Sequence, residues 1–206
     1  MLQLIASFMA MNLLQQDLIP LSSSSPSLAF CAYTCLSDSS CSSFFYQRQH
    51  LRCYHSTLVY ITTSSAMENV TGVVYYSWAH PECPSDYVFS RGAYLCVKIG
   101  GQTDWFVASD TCADRGERLV KIDTGSKQRQ MAYMSSEVGE IWTGLHYTGS
   151  EFRWTDGSLM NYSSWYPGQP LVLPSFICVV LYDVVPRTWH NGYCTFPYYA
   201  ACEVVL

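Results

Sequence analysis

Charged residues are scarce in this sequence of 206 residues, and basic residues are scarcer than acidic ones. Asp, Glu, Lys and Arg together make up 13% of the chain, the formal net charge is −5, and no Lys or Arg precedes Arg48. A protein that binds a nucleic-acid backbone or an anionic membrane surface needs clustered positive charge. The composition therefore argues against nucleic acid as a partner and against a polybasic membrane segment.

Long apolar runs and catalytic sequence motifs are also missing. No uninterrupted apolar stretch reaches the roughly 20 residues that a membrane-spanning helix needs. The sequence contains no H-E-x-x-H, no G-x-S-x-G and no glycine-rich phosphate loop, so three common catalytic arrangements are not indicated. We therefore expect a protein that is not an enzyme. Hydrophobic residues make up 49% of the chain and aromatic residues 15%, which is enough for a folded core.

Cysteine, by contrast, is abundant. A dense and even set of cysteines is typical of disulfides formed in an oxidising compartment. Zinc binding is the alternative, although Cys31, Cys35 and Cys41 lack the paired C-x2-C spacing of common zinc ribbons. Two glycosylation sequons, at Asn69 and Asn161, agree with secretion. We predict a secreted, disulfide-bonded glycoprotein. The ten cysteines are Cys31, Cys35, Cys41, Cys53, Cys83, Cys96, Cys112, Cys178, Cys194 and Cys202.

The N-terminal segment does not look like an ordinary signal peptide. Residues 2–14 are apolar but are interrupted by Gln3, Ser7 and Asn12, and no basic residue precedes them. A secretory signal combines a positively charged start with a cleaner apolar stretch. We expect either that this segment is a strand or helix of the folded protein or that a signal peptide is missing from the sequence.

The cysteines fall into a group of four between residues 31 and 53 and a group of six between residues 83 and 202. The segment between the groups ends in His80-Pro81-Glu82, and proline restricts the conformation of the residue before it. We therefore predict two domains, 1–80 and 81–206.

The first domain has the pattern of a short helix followed by strands. A helix over 27–37, with Ser27 as its N-cap, would place Cys31 and Cys35 on one face. Aromatic and β-branched residues indicate strands at 43–46, 58–61 and 73–76. This order of Cys-x3-Cys helix, third cysteine, aromatic strand and fourth cysteine resembles the PAN/apple family, whose modules bind proteins or carbohydrates. The resemblance implies two disulfides, Cys31–Cys53 and Cys35–Cys41.

The second domain has the pattern of two helices, several short strands and a long loop. Trp105, Ala108 and Cys112 recur at the spacing of one helix face, and residues 127–133 indicate a second helix. Strands are predicted at 141–142, 152–154, 177–182 and 200–205. Residues 155–175 exceed the length of about 12 to 15 residues beyond which a loop in a compact domain is usually functional. The sequence therefore predicts an α+β fold.

Several motifs of this domain resemble the C-type lectin-like domain in both order and spacing. The motifs are Trp105-x2-Ala108-x3-Cys112, Trp142-Thr143-Gly144-Leu145, Phe152-x-Trp154-x-Asp156-Gly157, Trp165-x2-Gly168-Gln169-Pro170, Trp189-x4-Cys194 and Cys202-Glu203. Cys83-Pro84 and Cys96 resemble the N-terminal hairpin of the family's long form, so the resemblance covers residues 83–206. It implies three disulfides, Cys83–Cys96, Cys112–Cys202 and Cys178–Cys194.

In sugar-binding members of that family, a Ca²⁺ ion in the long loop is held by oxygen ligands that also bind vicinal sugar hydroxyls. The matching positions here carry Gln169, Leu171, Phe176, His190 and Asn191, none of which is a carboxylate. Calcium takes about 6 to 8 oxygen ligands, and its affinity rises with their charge. We therefore expect no calcium, and no other metal or cofactor, at this position.

Polar residues that could still bind a ligand remain in the loop, namely Tyr166, Gln169, His190 and Asn191. The alternative for each is a structural role, such as a turn formed by Gln169 with Pro170. Aromatic rings that could stack on a sugar or contact a protein are Phe196, Tyr198 and Tyr199. The tryptophans Trp105, Trp142, Trp154 and Trp189 are expected in the core.

The resemblance implies an extracellular recognition protein whose C-terminal domain binds carbohydrate without calcium. The alternative is a protein-binding adhesion or innate-recognition module that binds no sugar. Its expected partner is accordingly a glycan or an extracellular or cell-surface protein. Fold analogy alone cannot decide between these functions.

Overall fold

The computed structural model describes residues 2–7, 13–15, 18, 21, 26–61, 67–171, 173–175 and 177–206. The chain divides into two compact units, Met1–Tyr94 and Leu95–Leu206. This division lies beyond the predicted boundary at residue 80, because Arg91 and Gly92 form hydrogen bonds within the first unit.

The first unit contains one helix and a small antiparallel sheet. Its elements are β1 (Gln3–Ser7), β2 (Leu13–Gln15), α1 (Leu28–Ser37), β3 (Ser43–Gln47), β4 (Arg52–Ser56), β5 (Met67–Asn69), β6 (Val73–Ala79) and β7 (Val88–Ser90). The sheet has the order β1-β6-β3-β4, and β2 pairs with β5. Part of the predicted N-terminal segment thus forms a strand, with Gln3 opposite Ala79 and Ser7 opposite Tyr75.

Helix α1 begins where the sequence predicts. The Ser27 hydroxyl accepts a hydrogen bond from the Phe30 backbone N–H at 3.1 Å, which satisfies one of the unpaired donors of the first turn. Cys31 and Cys35 are buried on the face that packs on the sheet. The disulfides Cys31–Cys53 and Cys35–Cys41 are formed, which is the pairing that the PAN/apple resemblance implies.

No cysteine in the described part of the chain is free. The imidazole of His55 lies near the sulfur atoms of both disulfides. Because disulfide sulfurs are not thiolates, this group offers no zinc site of the kind considered as an alternative. Its Nε2 atom instead lies 3.2 Å from both Thr34 Oγ1 and the Cys31 carbonyl oxygen, and burial lowers the pKa of His55.

The strand predicted at 58–61 is wrong, because the backbone donors of this segment bind side chains. The Leu58 N–H donates to Ser56 Oγ at 3.1 Å. The Tyr60 N–H donates to the Tyr75 hydroxyl at 3.0 Å. Side-chain acceptors, one local and one 15 residues away in the chain, therefore take backbone donors that a strand would use in a ladder.

Arg91 closes the C-terminal end of helix α1. Its guanidinium donates to backbone carbonyl oxygens at distances of 2.7 to 3.1 Å. The last carbonyls of a helix have no intrahelical partner and carry the negative end of its dipole. The arginine guanidinium is planar and always charged, so it can donate hydrogen bonds to several such carbonyls at once. The acceptors belong to Cys35, Leu36, Asp38 and Cys41.

We expect Arg91→Met to lower the free energy of unfolding of the first unit by about 3 kcal/mol, since hydrogen bonds to a charged group contribute about 1.5 to 3 kcal/mol each. Arg91→Lys should recover only part of this loss, because an ammonium lacks the planar fork. Urea unfolding of the full, non-reduced chain measures the change. Arg115→Met, at an exposed position of the second unit, is the control. A loss below 1 kcal/mol for Arg91→Met would contradict the assignment.

The second unit packs two helices on a larger sheet. Its elements are β8 (Leu95–Thr103), α2 (Trp105–Ala113), β9 (Arg118–Leu119), α3 (Gly125–Val138), β10 (Ile141–Tyr147), β11 (Phe152–Trp154), β12 (Cys178–Leu181), β13 (Trp189–Gly192) and β14 (Tyr198–Val204). The strand order is β13-β12-β10-β14-β8, with β11 beside β10 and β9 beside β14. The predicted α+β class is confirmed. The ladder between β10 and β14 is parallel.

Helix α3 is longer than the predicted 127–133 because its N-cap is Thr124 and its C-terminal end is set by Gly139. The Thr124 hydroxyl accepts a hydrogen bond from the Lys127 N–H at 3.2 Å, so the helix begins two residues earlier. At the other end, Gly139 has a φ of +111°, a conformation that favours glycine and ends the helix.

The core of this unit contains the four predicted tryptophans, all buried. The disulfide Cys112–Cys202 joins α2 to β14. The disulfide Cys178–Cys194 joins β12 to the segment that follows β13. Cys83 and Cys96 are disulfide-bonded as well. Within the described ranges, no helix is both long enough and apolar enough to cross a bilayer.

Candidate functional site

The long loop between β11 and β12 is fixed at its base on strand β13. The Tyr166 N–H donates to the Trp189 carbonyl at 3.0 Å, and the Trp189 N–H donates to the Ser164 carbonyl at 2.8 Å. The buried Trp189 indole donates to Gln128 Oε1 of α3 at 2.8 Å. Trp189 thus connects α3, the long loop and β13. The residues that follow Trp189 in β13 are therefore held in place beside the loop.

Asn191 closes the loop from the opposite side. Its Oδ1 atom accepts a hydrogen bond from the Leu171 N–H at 2.8 Å, and its Nδ2 atom donates to the Leu171 carbonyl at 2.7 Å. The side chain is buried within β13. One amide therefore pairs with both backbone groups of one loop residue, which is the geometry that a neighbouring strand would provide.

Gln169 belongs to the same turn. Its N–H donates to the Tyr166 carbonyl at 2.9 Å, and its Oε1 lies 3.2 Å from the Leu171 N–H, which it shares with Asn191. The Gln169–Pro170 peptide bond is cis. Gln169 therefore has the structural role considered above, because its amide oxygen accepts a hydrogen bond within the turn.

His190 lies between two tyrosine rings. The ring centroids are 4.7 Å apart for Tyr166 and His190 and 4.6 Å apart for Tyr182 and His190. Its Nε2 atom is buried and makes no hydrogen bond to any described residue. Burial lowers the pKa of His190, because desolvation disfavours the charged imidazolium. The imidazole is therefore neutral at neutral pH, and its Nε2 atom is a buried polar atom without a partner among the described residues.

The structure thus brings Tyr166, Gln169, His190 and Asn191 together, although only His190 has an uncommitted polar atom among the atoms described above. Tyr166 contributes a ring. Tyr199 does not belong to this group, because its N–H donates to the Glu140 carbonyl at the start of β10.

The residues at the calcium position do not fit a calcium ion. The Asn191 amide is committed to Leu171, whose own side chain is an exposed hydrocarbon. His190 offers a nitrogen, and calcium prefers oxygen ligands with negative charge. Phe176, the remaining predicted position, lies outside the described residues. Without a carboxylate, these side chains cannot supply the charge that calcium requires.

A cavity of about 300 Å³ is lined in part by His190, Asn191 and Gly192 of β13. Trp142 pairs with Val180, and Val180 pairs with His190, so these three side chains form one row on the same sheet face. The sequence pattern does not indicate the contribution of Tyr182, although it lies two positions after Val180 and alternation places it on that face. The other aromatic residues of the lining are Tyr193, Phe196 and Tyr198.

The comparisons with known proteins agree with this fold. A family model described as "Lectin C-type domain" matches residues 101–204. Lectin BRA-2 of Megabalanus rosa is 33% identical over 147 residues, which cover 69% of this chain and 80% of that lectin. The low affinity immunoglobulin epsilon Fc receptor of Homo sapiens is 35% identical over 91 residues, or 43% of this chain and 27% of the receptor.

Among solved structures, a calcium-independent type II antifreeze protein superposes with a TM-score of 0.53. The match has 22% sequence identity and covers 60% of this chain and 94% of the antifreeze chain. At this level of identity, the likeness concerns the fold alone.

Proposed function

This chain belongs to the C-type lectin domain family, and from that membership we propose that it is a secreted recognition protein that binds carbohydrate without calcium. The observation that carries the proposal is the two-way hydrogen bonding between Asn191 and the Leu171 backbone. The loop is closed by a neutral amide at the position where the calcium ligands of sugar-binding members would lie. Preorganisation of the loop therefore needs no ion.

Carbohydrate is the favoured ligand class because the relatives include a protein named as a lectin and because the site contains the packed rings of Tyr166, Tyr182 and His190. Aromatic rings can pack on the apolar face of a sugar while a polar atom binds one hydroxyl. No metal or other cofactor and no catalytic group are part of this function. The relatives in the comparisons are lectins and receptors, which agrees with a non-enzymatic role.

Other features of the proposal concern the whole chain. Disulfides agree with an extracellular location, and Asn161 is exposed and therefore accessible to glycosylation. Asn69 is the second proposed acceptor. The domain 1–80 would act as a PAN/apple-like binding module, and its covalent linkage to 81–206 would raise avidity for a multivalent surface.

A glycan array probed with the full chain tests the proposal. We expect the same glycans to bind in the presence of calcium and in the presence of a chelator. Loss of all signals in chelator would show that the calcium independence is wrong. Silence under both conditions would favour the alternative of a protein-binding module without sugar binding.

Asn191→Ala should weaken glycan binding about tenfold, because it removes two hydrogen bonds that fix the loop, each contributing about 0.5 to 1.5 kcal/mol. Ser175→Ala is the matched control, since it changes an exposed polar side chain of the same loop outside the glycosylation sequon. Isothermal titration with a glycan identified on the array measures both variants. Equal weakening by both variants would contradict the role given to Asn191.

A further inference from the structure

We propose that a cavity between helix α2 and strand β8 binds a tetrahedral oxyanion, namely a sulfate or phosphate group carried by a ligand. The cavity has a volume of about 220 Å³, and its lining comes from β8, α2 and β14, together with one residue that directly follows α2. None of its described lining residues belongs to the long loop or to β13. The inference therefore goes beyond the proposed function and does not depend on carbohydrate binding at the loop.

A β-bulge in β8 shapes one wall of this oxyanion cavity. Lys98 of β8 pairs with Cys202 of β14, and Thr103 pairs with Tyr198. The two residues on β14 are four positions apart and the two on β8 are five apart, so β8 has one extra residue. In a regular strand, residues five apart point to opposite faces. The bulge keeps Lys98 and Thr103 on one face, and this face is the one toward α2, because Cys202 is bonded to Cys112 of α2.

Two glycines occupy the bulge and leave its backbone uncovered. The register shift lies opposite Gly100 and Gly101, both of which are exposed. A Cβ atom built at Gly101 would meet no atom within 4 Å, and one built at Gly100 would lie 3.5 Å from the Ala200 carbonyl oxygen. A bulge removes backbone groups from the regular ladder, and N–H groups at the edge of a sheet form concavities that bind anions. The backbone of the bulge is therefore open to a ligand in the cavity.

The opposite wall is one stripe of helix α2. Val107 and Thr111 lie four positions apart on the helix, and Arg115 lies four positions further on, just after the helix ends. Residues at this spacing share a helix face. The stripe places a hydroxyl group and a guanidinium opposite the bulge.

The charge of the lining favours an anion. The described residues of the lining include two cations, Lys98 and Arg115, and no Asp or Glu. This is notable in a chain with a net charge of −5 and only 11 Lys and Arg residues. The carboxylates of Asp110 and Asp114 precede the stripe by one position each and are not in the lining. Among the described residues, no side chain forms an ion pair with Arg115. A guanidinium donates two parallel hydrogen bonds to an oxyanion.

The size and the donors of the cavity favour a sulfate or phosphate group over a larger ligand. The volume lies below the range of about 300 to 1,000 Å³ that is usual for ligand pockets. The side chains of Gln102, Thr103 and Thr111 add one amide and two hydroxyl donors to the two cations. Donors on both walls suit an anion whose oxygens point in several directions. We therefore expect the charged group to be bound inside and the rest of its ligand to remain outside.

The test follows the backbone N–H signals of Gly100 and Gly101 by NMR in the isotope-labelled, non-reduced full chain. The probes are inorganic sulfate, inorganic phosphate, a glucose sulfate monoester, a glucose phosphate monoester and glucose itself. We expect saturable shifts of both signals with at least one monoester and none with glucose. The monoester that binds more tightly identifies sulfate or phosphate as the natural group. Added sodium chloride should weaken the binding, because salt screens the two cations.

Arg115→Gln should weaken binding of that monoester about tenfold, because it removes a charged donor. Gly101→Asp should abolish binding by placing a negative charge at an open position. Arg129→Gln is the matched control, since Arg129 is an exposed arginine on α3 that does not line the cavity. The inference is wrong if neither monoester shifts the two signals, if only the inorganic ions do, or if glucose does so equally. It is also wrong if Arg115→Gln and Arg129→Gln have equal effects. Each of these failures leaves the proposed function standing, because the glycan array tests that function separately.

Discussion

Replacing Cys112 and Cys202 together with alanine is expected to lower the free energy of unfolding of the second unit by about 4.6 kcal/mol at 25 °C. The disulfide spans a sequence separation of 90 residues and ties the first helix of the unit to its last strand. Without it, the unfolded chain gains the entropy of a long open loop. Since domains are stable by only about 5 to 15 kcal/mol, this bond accounts for at least about a third of the stability. Urea unfolding followed by tryptophan fluorescence measures the loss.

The matched comparison is the pair Cys178→Ala and Cys194→Ala, whose disulfide spans a separation of 16 residues. The shorter loop predicts a loss of about 3.1 kcal/mol, so the two double variants should differ by about 1.5 kcal/mol. The other disulfides remain oxidised in both experiments. A larger loss for the shorter loop would show that native packing around Cys178 outweighs loop entropy.

Glu203→Gln is expected to destabilise the second unit by about 2 to 3 kcal/mol, because Lys127 loses its short charged partner and keeps only Asp123, whose Oδ1 atom lies 3.4 Å from Lys127 Nζ. Lys127 Nζ lies 2.7 Å from Glu203 Oε1, and the two side chains are only 10% and 4% exposed. The other carboxylate oxygen accepts the Lys121 backbone N–H at 2.9 Å and lies 3.4 Å from Arg118 Nε. The Glu203 carboxylate on β14 thus binds Arg118 and Lys121 in one segment and Lys127 on α3.

The double variant Glu203→Gln with Lys127→Met distinguishes the interaction between these two side chains from the interactions that each makes with other residues. Because it removes both charges, it should regain part of the stability lost in Glu203→Gln. Thermal and urea unfolding of the wild type, both single variants and the double variant form a complete cycle. Additive effects of the two substitutions would mean that Lys127 and Glu203 do not stabilise each other.

Local sequence signals predict local structure well in this chain. Ser27 marks the start of α1, and the spacing of Trp105, Ala108 and Cys112 identifies α2. The mistaken strand at 58–61 has strand-forming residues, but its backbone donors bind the side chains of Ser56 and Tyr75. Strand propensity reflects the residue types of 58–61. It does not reflect the hydrogen bond from this segment to the Tyr75 hydroxyl, because Tyr75 is distant in sequence.

At the candidate site too, the residue types could be read from the sequence, whereas contacts between residues distant in the chain could not. Residue types alone show that the calcium position lacks carboxylates. They do not show that Asn191 is used by the Leu171 backbone or that Tyr182 packs on His190. Both facts depend on strand register and on how the long loop folds back, which single-residue properties do not encode. The division of the units likewise depends on Arg91, whose acceptors lie 50 to 56 positions earlier in the chain.

The amide clasp between Asn191 and Leu171 has a physiological consequence. Neither the side-chain amide nor the peptide group titrates between endosomal and extracellular acidity, and neither is removed by chelators or by calcium-poor fluids. A loop held by an ion opens when the ion leaves, whereas this loop keeps its shape under all of these conditions. If the protein binds glycans as proposed, the shape of the loop would therefore not depend on the calcium concentration, and an acid dependence of binding would arise at His190, whose pKa is lowered by burial.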